Sequence, residues 1–176
     1  MKCVIHGSGG VGGYYGGCLA LAGHEVFFIA RGAHLEAIQK QGLSIKSAKG
    51  DFRIETPKSG ERCDPDFYPD LVIVAVKSWQ LPEITEEIKN YCTPSTLILP
   101  LQNGADASDI LADTLGPERV LGGLTKIFSK IETPGVINHF TGATYIGFGE
   151  YFQDPQFQNA PDSLSERCRN LEKELD

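Results

Sequence analysis

No run in this chain approaches the roughly 20 consecutive apolar residues that a membrane-spanning helix needs. The opening Met-Lys-Cys-Val-Ile-His-Gly is likewise too short in apolar residues for the core of a secretory signal. Cys-x-x-Cys spacing is missing: Cys3, Cys18, Cys63, Cys92 and Cys168 are odd in number and scattered. That argues against a disulfide or zinc framework and for the reduced thiols of a cytoplasmic protein. Positive charge is scarce, since 16 Lys+Arg against 23 Asp+Glu leave a formal charge of −7. Such a chain has no electrostatic reason to bind nucleic acid or an anionic membrane surface. There is no internal repeat, no low-complexity segment and no Gly-x-Ser-x-Gly elbow for Ser-His-Asp catalysis. His6 and His139 fall in or beside strands without metal-ligand spacing, and read as structural; no metal site is expected.

Glycine, by contrast, is plentiful: of 20 in the chain, eight precede Glu25. The length of 176 residues suits one well-cored domain, or a domain and a fragment. With 41% hydrophobic and 22% charged residues the composition is that of a globular protein. Lys2–His6 is a short apolar run ending in glycine and reads as a buried strand. Val11–Ala22 reads as a helix stopped by Gly23, and Glu25–Ala30 as a second strand. Ala33–Gln41 has helical spacing, and Leu43–Ser47 with Phe52–Thr56 suggest a hairpin around Lys49-Gly50. Cys63–Pro69 reads as a loop. Leu71–Val76 is apolar at every position, as a strand buried on both faces in a parallel sheet would be.

Beyond it come a helix over Pro82–Tyr91, a buried strand over Thr96–Leu101 and a short helix over Ser108–Leu115. Val120–Thr125, Ile127–Ile131, Val136–Phe140 and Thr144–Phe148 read as strands, the later ones joined by tight turns. Tyr151–Pro161 is polar and loop-like. Ser163–Leu175 has an amphipathic pattern in Leu164, Cys168, Leu171 and Leu175, with Ser163 and Glu166 placed as a capping box. The stop at Asp176, with no terminating glycine, reads as a truncation. Residues 1–162 are therefore expected to form one domain, and 163–176 to start a helix leading to a missing segment. Alternating strands and helices imply an α/β domain with a mainly parallel, doubly wound sheet, whose ligands lodge outside the carboxyl ends of its strands.

Gly7-Ser8-Gly9-Gly10-Val11-Gly12 matches Gly-x-Gly-x-x-Gly directly after a strand and at the opening of a helix, the context of a Rossmann-type dinucleotide site. Gly7 makes the tight turn, Gly9 lets backbone approach a pyrophosphate, and Gly12 lets the helix pack on the sheet. The helix end then offers free N–H groups to phosphates. Gly13, Gly16 and Gly17 each cost the helix about 1 kcal/mol relative to Ala, which close helix–sheet contact would offset. An NAD site carries an acidic residue about 20 positions on to accept the ribose 2′-hydroxyl. Ile29-Ala30-Arg31-Gly32 carries none there. Arg31 offers a planar cation for a 2′-phosphate, so NADP(H) is the expected cofactor. His34 reads either as a minor phosphate contact or as a solvated residue at a helix start.

The other strand ends deliver Lys77-Ser78-Trp79-Gln80 and Gln102-Asn103-Gly104 to the same edge. Lys77 reads as a general acid, a clamp for a carboxylate or a solvated strand end. Asn103 reads as a partner for a ribose or amide, or as a simple turn. Trp79 reads as a packing residue.

Together, Gly7–Gly12, Ala30-Arg31-Gly32, Val76–Gln80, Gln102-Asn103-Gly104, Pro134-Gly135-Val136, His139 and Ile146-Gly147 resemble the ketopantoate reductase (2-dehydropantoate 2-reductase) family over about residues 1–150. The resemblance implies NADPH-dependent reduction of 2-dehydropantoate to pantoate, a step of pantothenate synthesis, on a small 2-keto acid. It places the pyrophosphate on Gly7–Gly12, including Ser8, Gly10 and Val11, and the 2′-phosphate on Arg31. It sets Lys77 and Asn103 near the nicotinamide ribose and substrate, and Ser129 beside the cofactor as a small residue. The family's proton-donating Lys lies in a C-terminal helical domain that would begin after Asp176. The chain is thus expected to bind cofactor but to reduce little ketopantoate alone. A non-catalytic NADP sensor and a dehydrogenase of another 2-keto or 3-hydroxy acid are the alternatives. Uncovering of one side of the last helix would favour association, as in a homodimer.

Overall fold

The apolar runs and glycine stops of the sequence set most of the element boundaries. A computed structural model describes residues 1–104, 106–142, 144–151 and 165–175. In chain order the first elements are β1 (Lys2–His6), α1 (Gly10–Leu21), β2 (Glu25–Ile29), α2 (Gly32–Gln41), β3 (Leu43–Ser47), β4 (Phe52–Ile54), β5 (Lys58–Gly60) and β6 (Leu71–Val74). Then follow α3 (Leu81–Lys89), β7 (Leu97–Pro100), α4 (Ala107–Leu115), β8 (Leu121–Lys126), β9 (Ser129–Thr133), β10 (Val136–His139), β11 (Tyr145–Glu150) and α5 (Glu166–Leu175). The expected capping box at Ser163, the contact of Leu164 and most of the loop from Tyr151 to Pro161 lie outside the described residues.

The main sheet has the order β5-β2-β1-β6-β7, with every neighbour parallel. The chain winds outward from β1 through β2 and then restarts at β6 on its other side. The carboxyl ends of β1 and β6 therefore flank the switch point where α/β sheets hold ligands. Alternate residues feed opposite cores. Ile5, Phe28 and Ile73 pack with α1 and α2, and Val4, Val72 and Ile98 pack with α3 and α4. This is the α/β, doubly wound, Rossmann-type architecture. A mixed sheet, β4-β3-β10-β9, packs against α1, and β8 pairs antiparallel with β11.

The flush fit of α1 explains its glycines. A Cβ on Gly12 would lie 2.2 Å from the Gly7 carbonyl oxygen, and one on Gly16 would lie 2.6 Å from Ile5 and from Phe28. The helix backbone itself rests on the sheet, so its weak helical propensity is offset by contact.

Four features differ from the sequence reading. β5 is a polar three-residue edge strand beside β2, where Lys58 Nζ donates to Glu25 Oε1 at 2.5 Å. β6 stops at Val74 and not at Val76, although the Ala75 N–H still donates to the His6 carbonyl at 2.9 Å. The strands after α4 are not a simple meander: only β9 and β10 form a hairpin, across Pro134-Gly135, while β8 reaches past them to β11. Lastly, the apolar side of α5 is covered. Cys168 and Leu171 are buried in the core shared with α1, and Arg167 pairs with Glu150 at the end of β11. The exposed large apolar side chains are elsewhere, among them Leu124, Phe128, Phe140 and Tyr145. All five cysteines are unpaired, and among the described residues no helix is long and apolar enough to cross a membrane.

His6 ends β1 on the α3 side. It is buried, with Nδ1 2.8 Å from the Tyr91 hydroxyl. Burial, with the charge of Arg31 adding to it, pushes its imidazole down to about 4. The unfolded chain takes up this proton near pH 6.5 and the folded chain only near pH 4. Stability is therefore full above about pH 6.5 and falls as the pH drops through that window. His6→Gln is expected to flatten the fall of the thermal midpoint over that range; an unchanged slope would remove His6 as its source. Gly12→Ala is expected to cost about 1–3 kcal/mol of stability, as overpacked cores do, seen as a lower urea midpoint at constant m-value.

Candidate functional site

The turn from β1 into α1 is built by backbone. Gly7 leaves the strand at φ 101°, a conformation open to glycine, and its missing Cβ would lie 2.8 Å from Val76 Cγ1. The Ser8 N–H donates to the Ile29 carbonyl at 2.9 Å. The Ser8 carbonyl is held in turn by His34 Nε2 at 2.8 Å. The Gly135 N–H donates to His34 Nδ1 at 3.0 Å. Nδ1 is thus the acceptor and Nε2 carries the proton. Burial lowers the His34 pKa, against the opposing effect of the Ser8 bond, which favours this neutral form. His34 is accordingly neither a solvated helix-start residue nor free to turn toward a phosphate.

Three features of the turn suit a diphosphate. The buried Ser8 Oγ has no partner among the described residues. A Cβ on Gly9 would meet nothing within 4 Å, so its backbone borders open space. Gly9 also begins α1 with no side-chain cap, leaving the helix N–H groups available.

Two cavities share one wall at this edge. The first, about 280 Å³, is bordered by Gly7, Ser8, Gly9, Arg31, His34 and Lys77. The second, about 350 Å³, is bordered by Val11, Lys77, Trp79, Gln102, Asn103 and Thr125. Lys77 is exposed and belongs to both. Its backbone N–H donates to Gln80 Oε1 at 3.1 Å, fixing the turn that carries it. The Ser78 hydroxyl donates to the Asn103 carbonyl at 3.3 Å and ties the two strand-end turns together.

Arg31 stands exposed just before α2, with no ion pair among the described residues. Beyond it a further groove holds Arg62 and the carboxylates of Glu61, Glu83, Glu86 and Glu87.

The fold thus gathers Gly7, Ser8, Gly9, Arg31 and Lys77 at one cavity, and Val11, Lys77 and Asn103 at the other. Gly10 and Gly12 face inward instead. A Cβ on Gly10 would lie 2.6 Å from the Ser129 carbonyl oxygen. Ser129 therefore touches the turn through its backbone and borders neither cavity, and its hydroxyl is buried without a partner among the described residues. Trp79 is not a packing residue. It is 78% exposed, carried outward by the short helical turn Ser78–Gln80 onto the rim of the second cavity.

Gln102 was not marked as functional by its sequence position. Its side-chain amide donates to the Val74 and Val76 carbonyls at 3.0 and 3.1 Å, stitching β7 to the departing end of β6.

Residues 3–151 match the family model for ketopantoate reductase PanE/ApbA. An uncharacterized oxidoreductase, YkpB of Bacillus subtilis (strain 168), is 37% identical over 153 residues, covering 86% of this chain and 49% of its own length. The 2-dehydropantoate 2-reductase of Pyrococcus horikoshii is 34% identical over 148 residues, covering 84% of this chain and 47% of its own. The crystal structure of 2-dehydropantoate 2-reductase from Geobacter metallireducens GS-15 superposes with a TM-score of 0.87 at 31% identity, covering 99% of this chain and 55% of that one. The chain spans about half the length of the curated relatives it matches. Both the sequence match and the superposition run through the Gly-rich turn and the two strand-end clusters, and on these grounds the chain belongs to the ketopantoate reductase family.

Proposed function

We propose that this chain is the NADPH-binding half of a 2-dehydropantoate 2-reductase, which reduces 2-dehydropantoate to pantoate for pantothenate synthesis. The observation that carries the reading is the turn bare of side chains at Gly9, beside the unpartnered Ser8 hydroxyl. A bound nicotinamide supplies the hydride. The backbone of Gly7–Gly12, with Ser8 Oγ, holds the diphosphate. Arg31 pairs its planar guanidinium with the 2′-phosphate. Lys77 and Asn103 face the nicotinamide ribose and the 2-keto acid across the second cavity and orient the reacting carbon, which lowers the barrier by positioning. Ser129 keeps a small side chain where the turn and β9 meet.

Reduction of a ketone also needs an acid at the developing alkoxide. We assign that acid to a Lys in the second half that longer relatives carry, and not to Lys77. On this reading residues 1–162 form the cofactor unit, and residues 163–176 lead toward the second half. The unpaired thiols of the five cysteines suit a cytoplasmic enzyme.

Fluorescence titration is expected to show NADPH binding about tenfold or more tighter than NADH, the scale of a charge-assisted bidentate contact. Arg31→Ala should remove most of that difference. Equal affinities in the unmodified chain would overturn the cofactor choice. The 176-residue chain alone is expected to turn over ketopantoate negligibly, whereas a chain extended with the second half of a relative should reduce it in preference to other 2-keto acids. Robust turnover by the short chain would return the acid role to Lys77, and preference for another keto acid would move the substrate.

A further inference from the structure

We infer that His34 is a positioning residue for the diphosphate: its neutral imidazole locks the Ser8–Gly9 peptide so that the Gly9 N–H faces the cavity as an anion donor. The inference rests on the cofactor reading above and adds to it the residue that sets the turn.

The argument begins with the Ser8–Gly9 peptide. It is trans, so its carbonyl and its N–H point in opposite directions. His34 Nε2 holds the Ser8 carbonyl oxygen at 2.8 Å. The Gly9 N–H is therefore directed away from the imidazole, and among the described residues it has no acceptor. Gly9 borders the first cavity, and nothing stands within 4 Å of the place where its Cβ would be. On the other side of Ser8, its N–H is fixed to the Ile29 carbonyl. With both flanks held, the peptide cannot flip to present its carbonyl oxygen to an anion. A flip would replace an attractive N–H with a repulsive C=O at the same spot.

The imidazole can do this in one tautomer only. The Gly135 N–H, in the turn between β9 and β10, occupies Nδ1 at 3.0 Å and leaves the proton on Nε2. The ring thus links three segments: the Gly-rich turn, the first turn of α2 and the Pro134-Gly135 turn. A simple structural cross-link would need only that the segments be tied. A positioning role needs the bond to Ser8 in particular.

Two substitutions separate these cases. The amide of His34→Gln reaches as far as Nε2 and keeps a donor for Ser8. The shorter His34→Asn keeps an acceptor for Gly135 and loses Ser8. Dissociation constants for NADPH and NADH, with thermal midpoints, are measured for both variants and for His34→Ala. His34→Gln is expected to bind within about threefold of the unmodified chain, and His34→Asn and His34→Ala about tenfold more weakly, the scale of one lost hydrogen bond. Both cofactors should weaken by the same factor, because they share the diphosphate. Equal affinity in His34→Gln and His34→Asn overturns the inference, even if both are less stable, and leaves the cofactor reading intact. A change in the NADPH-to-NADH ratio also overturns it and makes His34 a 2′-phosphate contact. Failure of the unmodified chain to bind either cofactor sinks the cofactor reading and this inference with it. Should His34→Ala not fold, the Gln and Asn pair still decides.

Discussion

Everything at the carboxyl edge of the sheet depends on one contact, that of the α1 backbone with β1. With no Cβ at Gly12 or Gly16, the helix sits directly on Ile5 and Phe28. Gly7, also without a Cβ, lies close against Val76, two residues past the end of β6. Ala75, whose N–H donates to the His6 carbonyl, and Val76 border both cavities as a shared wall, and Lys77 lies where the two meet. The Gln102 amide donates to the Val76 carbonyl and adds a second donor to that of Val74, which already accepts the Leu101 N–H. A larger residue at position 12 would do more than loosen a helix, because its Cβ would also crowd Ala75 of that wall, at 3.1 Å.

The same contact explains what was legible in the sequence. Glycines at 7, 12 and 16 are dictated by sterics at single positions, so their pattern survives as a readable motif. Doubly buried strands such as β1 and β6 are equally plain, because every residue must be apolar. β5 was not readable. Its three residues Lys58-Ser59-Gly60 owe their place to backbone pairing with β2 and to the Lys58–Glu25 ion pair, neither of which leaves a periodic trace. The β8–β11 pairing was hidden for a different reason: its register is set across an inserted hairpin, and no local turn encodes it. Trp79 misled because aromatic character says nothing of which way a strand-end turn points. The role of His34 depends on Gly135, 101 positions away in sequence, and so had no local signal at all.

The cofactor reading separates affinity from selectivity physically. The diphosphate is met by backbone groups whose directions are set by the fold: the Ser8–Gly9 peptide, the uncapped start of α1 and the buried Ser8 hydroxyl. These make no distinction between phosphorylated and unphosphorylated ribose. On the proposed reading selectivity would fall to Arg31, an exposed side chain two residues past the end of β2. Substitution at Arg31 can thus change which cofactor is preferred without disturbing how either is anchored, and substitution at His34 the reverse.

Charge around Arg31 sharpens this division. The groove beyond it carries Glu61, Glu83, Glu86 and Glu87 against Arg31 and Arg62. A dianionic 2′-phosphate placed there is attracted by two guanidinium groups and repelled by four carboxylates. Exposed charges interact weakly through water, whereas a bidentate contact acts at bonding distance. On the proposed reading a bidentate contact with Arg31 would outweigh the carboxylates of the groove, which would diminish it. On the proposed reading, preference for the phosphorylated cofactor would be a balance held at one exposed residue, while the turn beneath it is fixed by the packing of the core.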